Sequence, residues 1–171
     1  MAYYWPDKRQ LTQQAAALGA WCYQVCAASY PTGAPWRQAT FVANLQAPHQ
    51  YYLFAVNAGQ LSGFISYTAV LDEIEITNVV VDPKWQRQHI AWQLWQVLLQ
   101  AQTQPIHFYL EVRASNLPAQ KLYTKLGFTV LNRRRDYYAA PTEDALIMAL
   151  EWKESNHDGE QVAATRVNFS F

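Results

Sequence analysis

Three things are scarce in this sequence: cysteine, charge of one sign, and long apolar runs. Its two cysteines, Cys22 and Cys26, lie four residues apart in a stretch of helical character, so their side chains share one face. A metal site would need further ligands and none cluster nearby, so no metal is expected. The reading for both is a buried free thiol, since free cysteine commonly packs as a small hydrophobe. Lys plus Arg and Asp plus Glu number 13 each, for a formal net charge of +0. No global field therefore recruits nucleic acid or an anionic membrane, and anion recognition has to come from a local site. No run reaches the roughly eighteen apolar residues that span a bilayer, and the N-terminus MAYYWPDKRQ lacks a signal peptide's ordering of basic and apolar regions. The expected compartment is the cytoplasm, with no membrane partner and no direct binding of nucleic acid.

What is present is apolar and aromatic: 51% of the 171 residues are hydrophobic and 15% aromatic, which suits one domain with a packed core. DKRQLTQQAAALGAWCYQVCAASY sets Leu11, Ala15, Leu18, Cys22, Val25 and Cys26 near helical spacing. PTGAP breaks that helix, and WRQATFVANLQ predicts a short second one with Trp36, Phe41 and Leu45 inward. The period then changes. YYLFAVNAGQLSGFISYTAV reads as two strands hinged at Asn57 to Gly59, and EIEITNVVVD as a third that turns fully apolar, as a central strand does. Pro83 closes it, and RQHIAWQLWQVLLQAQ predicts a helix from Arg87. IHFYLEVR is a further strand. SNLPAQKLYTKLGF offers Ser115 and Asn116 as caps of a short helix that ends at Gly127 in a left-handed turn. FTVLNRRRD and EDALIMALEW read as a strand pair joined by a YYAAPT loop. This order predicts an α/β (α+β) domain, a mixed sheet covered by helices. It spans residues 1–152, and a C-terminal tail, 153–171, is polar until VNFSF; composition alone reads it as disordered, and the expectation is that it docks on something.

Chemistry concentrates around one edge of such a sheet. A strand, a polar turn and a helix N-terminus in succession, NVVVDP followed by QRQHIA, form a phosphate cradle, because orphan N–H groups and the helix dipole both favour an anion. Glu111, Asn116 and Tyr123 would share that edge if the strands Asn78–Asp82 and Ile106–Arg113 are neighbours. Taken alone, Glu111 reads as a solvated or salt-bridged surface acid with Arg113 on the same face, and Tyr123 as a half-buried core tyrosine. Their joint spacing within LEVRASNLPAQKLY turns both toward function. Arg133 to Arg135 place at most two side chains on one face and read as a solvated strand edge.

NVVVDPKWQRQHIAWQLW resembles the acetyl-CoA-binding signature of the GNAT acyltransferase superfamily, Gln/Arg-x-x-Gly-x-Gly/Ala. LEVRASNLPAQKLYTKLGF, RRRDYY and EDALIMAL, with Pro35–Trp36 ahead of TFVANL, are similar to its RimI-type ribosomal-protein-alanine N-acetyltransferases, over roughly residues 5 to 152. The resemblance implies the GNAT fold, a mixed central sheet of about six to seven strands flanked by helices. It implies that Val79, Val80 and Val81 line the acetyl and pantetheine arm of acetyl-CoA. The amides of Arg87, Gln88, His89, Ile90, Ala91 and Trp92 would hold the pyrophosphate, and Asn116 would contact the cofactor arm. Glu111 would be the general base, Tyr123 the general acid, and the acceptor the N-terminal alanine of a ribosomal protein, acetylated by direct transfer in a ternary complex.

The chemistry asks for the same groups. An amine attacks a thioester only when neutral, and at pH 7 an α-amine is roughly 15% neutral against well under about 0.1% for a lysine. A carboxylate can take its proton, and a positioned acid or base typically contributes about 10² to 10⁴ in rate. Where the signature expects glycine, this chain has His89, and three arrangements are open. Position 89 takes ordinary helical dihedrals and the ring points outward, or the ring crowds the cradle and weakens acetyl-CoA binding, or the fold persists as a binding module without catalysis. Other acceptors, a small-molecule amine or a lysine, are the alternative for an active enzyme.

Overall fold

Alternation along the strands builds two cores, one on each face of the sheet. The computed structural model describes residues 1–153 together with Val167 and Phe169. Its elements are β1 (Ala2–Tyr4), α1 (Lys8–Ser29), α2 (Gln38–Gln46), β2 (Gln50–Asn57), β3 (Gln60–Val70), β4 (Glu73–Val81), α3 (Ile90–Gln100), β5 (Ile106–Arg113), α4 (Leu117–Lys125), β6 (Thr129–Ala139) and β7 (Thr142–Trp152). In β2, Tyr52 and Phe54 enter the core under α1 and α2, while Leu53 and Ala55 enter the core under α3 and α4, because successive side chains point to opposite faces. Trp95 of α3 is fully buried in the second core, edge-on to Phe108, Tyr123 and Phe128. Cys22 and Cys26 are free and buried in the first. Burial pushes the Cys26 thiol up to about 12, and Cys22 well above its usual value, so neither is a thiolate at neutral pH.

The sheet has seven strands in the order β1-β2-β3-β4-β5-β7-β6. All neighbours are antiparallel except β4 and β5, which are parallel and joined through α3. Local signals set the helices. Asp7 and Gln10 form a reciprocal capping box at the start of α1, each bond 2.8 Å. Lys8 donates to the carbonyls of Leu45 and Ala47, tying the end of α2 to the start of α1. Gly127 ends α4 at φ 97, the left-handed turn expected from its position.

Among the strands, the structure corrects the sequence reading in two places. The short strand β1 was not anticipated, since three residues carry no period. The expected YYAAPT loop is mostly strand: β6 runs on through Tyr137 and Tyr138 to Ala139. In the tail, the Val167 N–H donates to the Tyr3 carbonyl at 3.0 Å. The Phe169 carbonyl accepts from Gln14 at 3.2 Å, and its ring lies 6.1 Å from that of Tyr4. These two residues dock at the edge of the sheet opposite β6. The rest of VNFSF lies outside the described residues. Among those described, no helix is long and apolar enough to cross a membrane.

Gly63 of β3 sits where β4 approaches closely. A Cβ there would lie 2.8 Å from the Val80 carbonyl oxygen and 3.3 Å from Val81 Cα, and neither backbone atom can rotate away. Gly63→Ala is therefore expected to destabilise the fold by about 1–3 kcal/mol, the range for overpacking. Urea unfolding measures it, and an unchanged midpoint would show that β3 and β4 can separate at no cost.

Candidate active site

The site begins where β4 and β5 stop pairing. Their parallel register runs from Glu73 opposite His107 to Ile76 opposite Leu110 and ends there. Beyond it, β4 continues to Val81 paired only with β3, and β5 continues to Arg113 paired only with β7. The cause is a bulge. Ser66 of β3 faces Asn78 and Tyr67 faces Ile76, so Thr77 is an extra residue in β4, which bends the strand. Polar groups hold it: Thr77 Oγ1 donates to the Ser66 carbonyl at 3.0 Å and lies 2.7 Å from Ser66 Oγ, which also accepts from Asn78 at 3.0 Å. The bulge also reverses the alternation. Ile74 and Ile76 enter the core under α3, and after Thr77 it is Val79 and Val81 that pack against it, while Val80 faces α1. Asn78 to Val81 thus form one wall of a wedge, with the backbone groups that point away from β3 lacking a strand partner. Glu111 stands on the other wall.

At the end of β4 the chain makes a tight turn. Asp82 accepts from the Lys84 N–H at 3.0 Å, and the Trp85 N–H donates to the Asp82 carbonyl at 2.7 Å. Gln86 folds its amide back onto the Val81 carbonyl at 3.1 Å, and Ser29 at the end of α1 donates to the same oxygen. Arg87 and His89 are both left-handed, with φ 62 and φ 60, an alternation that turns successive amides toward one concavity. Helix α3 starts at Ile90, so the helix expected from Arg87 is three residues too long and the helical dihedrals considered for His89 are not found. His89 is the N-cap, exposed, and its ring makes no capping bond. The first-turn amides, which have no intrahelical acceptor, are therefore not taken up by the cap side chain, as they are at Asp7 and Asn116. Ile90 turns its side chain into the core at 2% exposure, leaving only its amide to the turn. Trp92 is half-buried beneath Lys125, whose Nζ lies 4.5 Å from the ring centroid.

Glu111 does not pair with Arg113. Arg134 of β6 reaches across β7 to bond Glu111 Oε1 at 2.7 Å, while Arg113 bonds Glu143 at 3.1 Å and lies 4.0 Å from the Tyr138 ring centroid. The edge expected to be merely solvated thus contributes Arg134 to the site. Tyr137 hydrogen-bonds Glu111, which with burial raises the phenol's pKa. Tyr123 is buried in α4, and desolvation followed by the proximity of Tyr138 raises its pKa far enough to keep it protonated. Tyr138 is itself raised by burial and then by Glu111. Tyr30, just past α1, is raised by burial and then by Cys26, Tyr123 and Tyr138. Tyr30, Tyr123 and Tyr138 are therefore neighbours, and of the three it is Tyr138 that borders the carboxylate. Asn116 caps α4, its Oδ1 accepting from the Ala119 N–H at 3.2 Å, which leaves its amide nitrogen as the group free for a ligand. Sequence reasoning missed Tyr30, Arg134, Tyr137 and Tyr138, whose only advance signal was the aromatic pair in RRRDYY.

A seven-stranded mixed sheet splayed beside a strand-turn-helix cradle defines the class: the chain belongs to the GNAT acetyltransferase family, whose model matches residues 15–128. It is an N-acetyltransferase by that membership. The ribosomal protein bS18-alanine N-acetyltransferase of Escherichia coli (strain K12) is 38% identical over 120 residues, 68% of this chain and 80% of that protein. The solved ribosomal-protein-S18-alanine N-acetyltransferase from Escherichia coli matches at a TM-score of 0.72 and 30% identity, covering 94% of this chain and 97% of that one. An aminoglycoside 6'-N-acetyltransferase complexed with coenzyme A shares the fold at a TM-score of 0.67 and 15% identity, covering 88% of this chain and 97% of that one.

Because His89 is left-handed, His89→Gly removes a Cβ penalty of about 1–2 kcal/mol, partly offset by the extra chain entropy of glycine. Its Tm is expected to rise by about 1–3 °C. Ala91→Gly, inside the first helical turn, should instead lower it by a similar amount. Thermal melts of both variants read the sign, and a fall in both would contradict the left-handed turn.

Proposed function

We propose that this chain transfers an acetyl group from acetyl-CoA to the α-amine of a protein N-terminus, an alanine of a ribosomal protein, by direct transfer in a ternary complex. The observation that carries the reading is the Glu111 carboxylate, on the first β5 residue beyond the last β4 pairing and held across β7 by Arg134. The names of the relatives at 38% and 30% identity support the acceptor. The reaction belongs in the cytoplasm, where ribosomal proteins are made. Residues 1–152 form the catalytic domain and residues 153–171 a tail outside it.

The residues fit acetyl-CoA. A strand edge at Val79 to Val81 without a strand partner, its Val81 carbonyl alone taken up by Gln86 and Ser29, suits an amide-bearing arm, which can pair as an added strand does. The left-handed turn and the amides of Arg87, Gln88, His89, Ile90, Ala91 and Trp92 suit a pyrophosphate. Asn116 offers its remaining amide to the arm. When bound, acetyl-CoA supplies an acetyl thioester.

The chain's own residues then have separate tasks. Glu111 takes the proton that the α-amine must lose, a small demand because that amine is already roughly 15% neutral at pH 7. A backbone N–H of the β4 edge polarises the carbonyl oxygen. Tyr123, kept protonated by burial, donates a hydrogen bond to the departing sulfur. Its raised pKa makes full transfer of that proton uphill, since a thiol is the stronger acid, so Tyr123 acts through the hydrogen bond. Both cysteine thiols are buried away in the α1 core, which agrees with direct transfer.

A peptide beginning with alanine and containing one lysine, incubated with acetyl-CoA and mapped by mass spectrometry, tests the reading. Acetate on the α-amine is expected, with Glu111→Gln lowering kcat/KM by about 10²-fold or more. Acetate on the lysine would replace the N-terminal acceptor with a side-chain amine. Acetyl-CoA binding without transfer to any amine would instead support a silent binding module.

A further inference from the structure

Arg134 and Tyr137 both reach Glu111, although three positions apart in a regular strand they would point to opposite faces. They converge because β6 carries extra residues. Arg134 faces Ala145 and Tyr138 faces Glu143, so β6 advances four positions where β7 advances two, with Asp136 left-handed at φ 50. Asp144, the β7 residue opposite this bulge, holds it with both oxygens. Oδ1 accepts from the Asp136 N–H at 3.0 Å and Oδ2 from Arg133 Nε at 2.6 Å. Ala145, paired with both Arg113 and Arg134, is small enough to let the Arg134 side chain cross β7 toward Glu111.

The geometry points to Arg134 as a positioning residue for acetyl transfer: with Tyr137 it clamps the Glu111 carboxylate in one orientation at the wedge, and Asp144 aims the clamp by fixing the bulge. The inference rests on Glu111 being the base. A lone glutamate at the exposed end of a strand samples several rotamers, and catalysis suffers when a reacting group strays by about an ångström. An ion pair this exposed contributes little to stability, so its place at the catalytic carboxylate, beside a bulge built to aim it, is better explained by orientation.

The test is steady-state kinetics of the full chain with acetyl-CoA and the alanine peptide, on Arg134→Met, Arg134→Lys, Glu111→Gln and the double variant Glu111→Gln/Arg134→Met. Arg134→Met is expected to lower kcat by about tenfold or more with KM for acetyl-CoA unchanged, and Arg134→Lys to recover most of the loss. In the Glu111→Gln background, Arg134→Met should cost nothing further, because the clamp then has no base to hold. Asp144→Asn should show a smaller fall in kcat of the same kind. A wild-type kcat in Arg134→Met, or an equal fall in both backgrounds, would overturn the clamp while leaving Glu111 as the base. Full activity in Glu111→Gln would overturn the base and the clamp together.

Discussion

One extra residue in β4 governs the rest of the site. With Thr77 inserted, β4 cannot follow both of its neighbours, and it stays with β3 while β5 stays with β7. An edge inside a sheet would ordinarily be a defect, since unpaired backbone groups are costly when buried. Here the Thr77 hydroxyl takes up the Ser66 carbonyl beside the bulge, and the buried Asn78 amide is satisfied by the Ser66 hydroxyl. The same insertion turns Val79 and Val81 toward α3, which brings the end of the strand directly to the cradle at its N-terminus.

The opposite wall is governed by a second irregularity, in β6. Its charges are nearly all matched: Arg134 with Glu111, Arg113 with Glu143, Arg133 with Asp144. Glu143 is held below the usual carboxylate range by the Ser115 hydroxyl first and then by the Ser115 N–H and Arg113, and Asp144 by the Asp136 N–H first and then Arg133. A surface of compensated charge is consistent with the chain's zero net charge and exerts little long-range attraction.

Most of the framework was legible in the sequence because burial imposes a period. Helices α1 and α3 and strands β2 to β5 each pack one or both faces, and their apolar spacing records it. β6 is exposed along nearly its whole length, so no burial pattern exists to read, and its bulge breaks what alternation remains. The left-handed state of His89 was signalled only by the glycine that the similar signature has at that position, since histidine itself announces nothing. Glu111, Asn116 and Tyr123 could be named as candidates because they lie within one short span around β5 and α4. Arg134, Tyr137, Tyr138 and Tyr30 come to the same place only through topology, since β6 lies beyond β7 and α1 is distant in sequence.

The bond from Val167 to Tyr3 joins positions near opposite ends of the described chain. Closing so long a loop costs more conformational entropy than closing any hairpin in the sheet, and the reward, one backbone bond and a pair of rings, is small. Order in time follows: β2 to β5 can assemble on their own contacts, and β1 with its covering segment can lock only afterwards, when the surface that receives them already exists.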